Sequence, residues 1–350
     1  MAAAVASAVL GACTGAPQSN APARGLRWVP QTPPTAAGLR GLSVVDADVA
    51  WASGTGGTFL RTTDGGATWA ADTLPGATGL DLRDVHAADA GTAYLMSAGE
   101  GDRSVIFRVT EGGRAWTSLY GIPGPEGFLD GMDFRGPRSG LAYSDPVDGR
   151  FLVVETEDGH TWRPLPPESL PAALPGEAGF AASGTGIVVR GDRVWFGTGG
   201  GAQARVFRSE DRGRSWEAVP TPMAAGAPGA GIFSLTFWDD LNGIAVGGDY
   251  TKPGERAGNV ARTEDGGRTW RPIRGAPPRG YRSGVAYVPG TDPLLLVAVG
   301  TSGSDYSRDG GESWAPIDTV GYNAVAAAGP DAVWAVGPGG KVAKLRIGGR

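Results

Sequence analysis

An all-β ring of seven four-stranded blades follows from three features of the chain: a phrase repeated six times, four short strands around each copy, and a lone strand at the start. The phrase is clearest as Thr263, Glu264, Asp265, Gly266, Gly267, Arg268, Thr269 and Trp270. Full copies end on Trp69, Trp216 and Trp314, with Asp64, Asp211 and Asp309 at the acidic position. Two copies are worn. One ends on Trp116 and has Glu111 for the aspartate; the other, with Asp158, is one residue short before Trp162. The tryptophans recur at intervals of 47, 46, 54, 54 and 44 residues, so the chain reads as one closed domain of repeated units.

Composition agrees. The 350 residues include 60 glycines and 27 prolines, which sit at fixed offsets beside alternating apolar runs and so mark turns of a β protein. The net charge of −5 and a lysine content of only Lys252, Lys341 and Lys344 leave no basic stripe for nucleic acid. With Cys13 as the single cysteine, and His86 and His160 as the histidines, neither an internal disulfide nor a His/Cys metal site is expected, and no cofactor is implied. The glycine run from Gly197 to Gly201 is not followed by a helical pattern and is not read as a phosphate loop.

Taken in order, residues 1–13 have the apolar character of a secretion signal, although no positive charge precedes the run. Leu10, Gly11, Ala12 and Cys13 resemble a bacterial lipobox, in which the cysteine is lipidated. That resemblance implies an exported protein, periplasmic or held at the outer membrane by its lipid. The apolar run is too short to span a bilayer. Residues 14–25 read as a flexible linker, and 26–350 as the propeller.

The first repeat shows the grammar. Leu42 to Val45 and Val49 to Gly54 flank a turn, a third strand runs from Thr58 to Thr62, and the box leads to a fourth ending at Leu74. The last repeat supplies three strands and stops without a box, while Leu26 to Gln31 resembles the strand after each box elsewhere. The N-terminal strand is therefore expected to complete the last blade and close the ring, leaving no open edge.

Within the box, the aspartate can accept backbone N–H groups of the tight turn, and the glycines allow the positive φ it needs. The tryptophan is expected to pack between neighbouring blades. Six equivalent acidic turns are structural on this reading, since catalysis requires one asymmetric constellation.

The pattern Ser/Thr-x-Asp-x-Gly-x-Thr/Ser-Trp resembles the Asp-box or BNR repeat of the sialidase-like propellers. Repeat length, blade number and the lipobox are most similar to the Ycf48/HCF136-like photosystem II assembly factors. The resemblance implies boxes on the turns between third and fourth strands and a binding face at the opposite end. Aligned that way, Arg40, Arg83, Asp130, Arg282 and Asn323 lead into innermost strands, Asp145, Asp249 and Tyr250 leave second strands, and Tyr281 and Tyr322 stand beside them. A non-catalytic, monomeric propeller that binds a protein partner on this rim, as an assembly factor or scaffold, is the reading the resemblance favours. The alternative is a glycoside hydrolase acting on carbohydrate at the same face. Against it, the Phe-Arg-Ile-Pro motif of sialidases is absent, with only Phe134, Arg135, Gly136 and Pro137 as an echo, and no two carboxylates are paired by sequence alone.

Overall fold

The computed structural model describes Met1 and residues 25–348; Cys13, the expected signal and all but the last residue of the linker lie outside the described residues. Seven antiparallel sheets form a ring. Six have four strands, and the sheet over residues 230–263 has three. Its fourth strand shrinks to one bridge between Arg262 and Arg271.

Blades are numbered one to seven by their innermost strands: Leu39–Val44, Leu82–Ala87, Leu129–Phe134, Ile187–Arg190, Ala230–Phe237, Gly284–Val288 and Ala324–Gly329. The second strands, such as Ala50–Gly54 and Ala332–Val336, are buried along their whole length. They face a neighbouring blade on each side, which is why their sequences are continuous apolar runs and do not alternate. Polar side chains join the innermost strands around the ring. Ser43 accepts the Ala87 N–H at 3.0 Å, Asp84 that of Met132 at 2.7 Å, Asp133 that of Val189 at 2.7 Å, and Ser234 that of Val285 at 2.9 Å.

Leu26–Gln31 pairs along its full length with Val342–Ile347 as the outer strand of blade seven. The Trp28 indole donates to Ser304 of blade six at 2.9 Å. Gln31 accepts from Trp69 of blade one at 2.9 Å and from Trp334 of its own blade at 3.2 Å. On the inner side, the Asn323 amide donates to the Leu39 carbonyl at 2.8 Å.

The box turns repeat one hydrogen-bond pattern. Asp265 accepts from Thr263 Oγ1 (2.8 Å), Thr269 N (2.9 Å) and Thr269 Oγ1 (2.6 Å), while Gly267 N donates back to Thr263 Oγ1 at 2.9 Å. The same set surrounds Asp64 and Asp211, and Asp309 is held likewise by Ser307 and Ser313. Shortened by one residue, the Asp158 turn keeps the N–H bonds of His160 and Thr161, at 2.8 and 2.7 Å. The tryptophans behave as wedges: Trp162 packs with Tyr94 and Phe134, Trp216 with Leu141 and Phe196, Trp270 with Trp195 and Phe237, and Trp314 with Ile244 and Leu296.

The Glu111 copy departs from expectation. Glu111 sits at φ 52 and holds Arg114 through its main-chain carbonyl, and among the described residues its carboxylate makes none of the turn bonds. Trp116 is 39 % exposed and touches Phe107 only edge-on, so it is not an inter-blade wedge. The longer glutamate arm cannot reproduce the short loop that an aspartate closes on its own turn.

Candidate functional site

Antiparallel pairing sends the start of each innermost strand and the end of each second strand to one end of the channel, opposite the box turns. In four blades the innermost strand carries a bulge there, and the unpaired residue is Arg40, Arg83, Asp130 or Phe233. A bulge re-aims one side chain out of the pleat, and these four line a single cavity of about 570 Å³ at the channel mouth. Gly41, which follows the first bulge, is needed for close approach: a Cβ there would lie 2.2 Å from Ser53 Oγ and 2.8 Å from the Asp84 backbone of blade two.

Asp145, Tyr250, Tyr281 and Asn323 also line the cavity, as the sequence pattern leads one to expect. Three other rim candidates are placed elsewhere. Arg282 is 1 % exposed and paired with Asp305, donating also to the Tyr281 carbonyl at 2.7 Å, because the innermost strand of blade six starts two residues later and has no bulge. Tyr322 is buried with its ring 5.4 Å from that of Trp28. Asp249 turns into its own loop, accepting from Thr251 N at 2.9 Å and Thr251 Oγ1 at 2.6 Å, and lines a separate depression with Met223 and Lys252.

A strap over the mouth is not foreshadowed by the repeat pattern. Residues 174–186, between the outer strand of blade three and blade four, cross the mouth and add Phe180 to the cavity wall. Glu177 anchors the strap: it accepts from Arg205 Nε at 2.9 Å, Thr198 Oγ1 at 2.6 Å and Leu174 N at 2.8 Å. Asp145 accepts the Gly179 N–H at 2.7 Å, and Arg83 reaches the Ala181 carbonyl at 3.3 Å while pairing with Asp81 at 2.8 Å. The signal for it in the sequence is the interval of 54 residues from Trp162 to Trp216, against 46 for the preceding copy.

Aromatic rings form one wall. Phe180 stacks on Phe233 with centroids 3.9 Å apart, and Tyr281 and Tyr250 meet Phe233 edge-on at 4.8 and 6.2 Å. Phe128 lies 6.0 Å beneath the Arg83 guanidinium. On the other side Asp130 and Asp145 line the cavity together, near enough to influence one another's charge. Burial raises both acids, Asp145 to about 6 and Asp130 well above the ordinary range, and for Asp130 the neighbouring Asp145 adds to the effect. Burial also lowers Arg40, with Arg83 beside it adding to the effect and Asp81 opposing it. Further down the channel, His86 stacks on Phe134 at 4.3 Å and burial holds it at about 4, neutral at physiological pH. Among the described residues no group of three or more His, Cys, Asp or Glu side chains is arranged to hold a metal ion.

The architecture is shared with solved structures. A Ycf48 structure with a bound D1 peptide superposes with a TM-score of 0.62 at 16 % identity, covering 95 % of this chain and 100 % of that one. Ycf48 from Cyanidioschyzon merolae gives 0.63 at 18 % identity, over 91 % and 99 %. The ring has the fold of these Ycf48 structures. At these identities the likeness is one of fold, and the WD40 propeller of Doa1 reaches 0.62 at 12 % identity. No family model matches the chain. In sequence, 119 residues are 31 % identical to the oligoxyloglucan-reducing end-specific xyloglucanase of Emericella nidulans, a stretch that spans 32 % of this chain and 14 % of that enzyme.

Proposed function

We propose that this Ycf48-like propeller is a non-catalytic protein-binding module, which seats a segment of a partner at the channel mouth and serves as an assembly or stability factor. One observation carries the reading. The bulged residues of four blades converge on a cavity that offers a guanidinium, an acid pair and a stacked aromatic wall together. Those groups suit a polypeptide, which presents carbonyls, charges and apolar side chains at short intervals. The Ycf48 structure that binds a D1 peptide shows that a propeller of this shape can take a peptide, which supports the reading. The lipobox resemblance at Leu10 to Cys13 extends the proposal to an exported, lipid-anchored factor serving a membrane or envelope complex, testable by metabolic labelling with a palmitate analogue of wild type and Cys13→Ser.

The glycosidase alternative draws on the partial xyloglucanase match and on the Asp130–Asp145 pair. Hydrolysis of either stereochemistry needs roughly 5 to 9.5 Å between carboxyls, with room for an anomeric carbon or a water. Asp145 already accepts the Gly179 N–H of the strap and Asp130 is almost fully enclosed, which favours binding.

The test uses Arg40→Ala and Tyr250→Ala, singly and together, in affinity capture from detergent-solubilised membranes. Both side chains line the cavity and neither has an ion pair among the described residues, so folding should be retained. Partners seen with wild type should be lost with the double variant. Equal recovery would overturn the mouth as the binding face, and Asp145-dependent release of sugar from a glycan panel would replace the proposal with the enzyme reading.

A further inference from the structure

The floor of the mouth cavity presents acceptors that the protein itself does not satisfy. Asp130 is 1 % exposed, lines the cavity, and has no hydrogen-bond donor on either carboxyl oxygen. The Tyr143 hydroxyl, fully enclosed in the field of Asp130 and Asp145, is also unpartnered. Buried polar atoms are almost always paired, so two neighbouring groups left open need a reason. Asp145 commits one oxygen to Gly179 N beside Asp130, and the cost of two enclosed like charges favours one proton on the pair.

The surrounding charges say what could replace that proton. Arg83 is neutralised by Asp81, whereas Arg40 has no ion pair among the described residues. Arg40 and Arg83 together, set against Asp81 and a carboxyl pair holding one proton, leave the mouth without net charge. Exchanging the proton for a monovalent cation leaves that balance unchanged. Two enclosed carboxyls suit the compact charge and several donors of an ammonium, while a planar guanidinium needs a flat fork. Phe128 and Phe180 wall the same cavity and suit a methylene stem. An α-amine at a chain terminus has no stem with which to reach a residue so enclosed.

We infer that the mouth takes a lysine side chain of the bound polypeptide, its ammonium seated on Asp130 and Asp145 and its stem against Phe128 and Phe180. The inference rests on the protein-binding reading and specifies what the site recognises.

The probe is Nα-acetyl-lysine N-methylamide, titrated into the whole protein at pH 5 while the Gly179 amide is followed by NMR and heats are measured in buffers of different ionisation enthalpy. Saturable binding is expected to move Gly179 and to release about one proton as the pair gives up the one it shares. Asp145→Asn, which keeps an oxygen for Gly179 N, should weaken binding by roughly tenfold or more, and Asp130→Asn should do the same. Native-like melting of both variants separates lost binding from lost fold. The Nε-acetyl derivative and the norleucine analogue should not bind. An unmoved Gly179 amide, or equal affinity for Asp145→Asn, would overturn the lysine site. So would equal binding of a probe with a free α-amine and an acetylated side chain, which would assign the cavity to a chain terminus. Capture of partners that still depends on Arg40 would then leave the protein-binding reading standing, while lysine binding without any captured partner would remove that reading alone.

Discussion

The aspartates at the two ends of the channel are chemically the same residue in opposite circumstances. At the box end, Asp64 is held down at about 2, first by the Thr68 hydroxyl and then by the Thr68 N–H and Thr62. Asp265 is also lowered, because the bonds from Thr269 and Thr263 outweigh the cost of its partial burial. At the mouth, burial raises Asp145 to about 6 and Asp130 further, with the neighbouring Asp145 adding to the effect on Asp130. A carboxylate ringed by donors stabilises its turn, whereas one enclosed without donors is costly until something binds it. The box end thus serves stability, and the mouth retains groups that stability alone would not select.

The sharpest way to break this contrast is to remove a box-end wedge. Trp270→Ala should cost about 3–5 kcal/mol by urea denaturation, since Trp270 packs between Trp195 and Phe237 in the core. Trp116→Ala, at an exposed position, should cost less than about 1 kcal/mol. Equal costs would mean that the worn box is a wedge after all.

A second test uses pH. The folded value of Asp145 lies above its ordinary 3.8, so the fold prefers it protonated. Its contribution is fully present below about pH 4, is lost as pH rises to about 6, and amounts to at most about 3 kcal/mol. Box aspartates act in the opposite sense: Asp64, lowered from 3.8 to about 2, adds stability above about pH 4 that disappears as the pH falls through 2. Asp145→Asn should therefore flatten the stability profile between pH 4 and 6 and raise the melting temperature at pH 7. A profile that keeps its wild-type slope would show that the mouth acids are not strained.

Asp265→Ala should cost about 1 kcal/mol, as for a lost helix cap. Equilibrium unfolding should register it, and capture of partners should be unaffected. Loss of partner binding with intact stability would move function to the box end.

Much of the ring was legible because its signals are local. An aspartate closing its own turn, a pair of glycines at positive φ and a tryptophan five residues on are short-range requirements, repeated often enough to count blades. Part of the mouth was legible as well: Arg40, Arg83 and Asp130 share a position just before a small residue and an apolar one, and that position is the bulge. Arg282 fits the same alignment yet is buried against Asp305, since its strand starts later and without a bulge. Bulges depend on the hydrogen-bond register of two strands, which no single strand encodes.

By itself the sequence determined the repeat, the number of blades and the end of the ring on which to look, because turn chemistry and strand periodicity act over a few residues. Tertiary structure alone decided which rim residues share a cavity. Asp130 meets Asp145 across two strands of one blade, Arg83 reaches a strap nearly a hundred residues away, and Phe180 stacks on a residue of another blade. Such meetings depend on how the ring closes, and closure sums contacts from the whole chain.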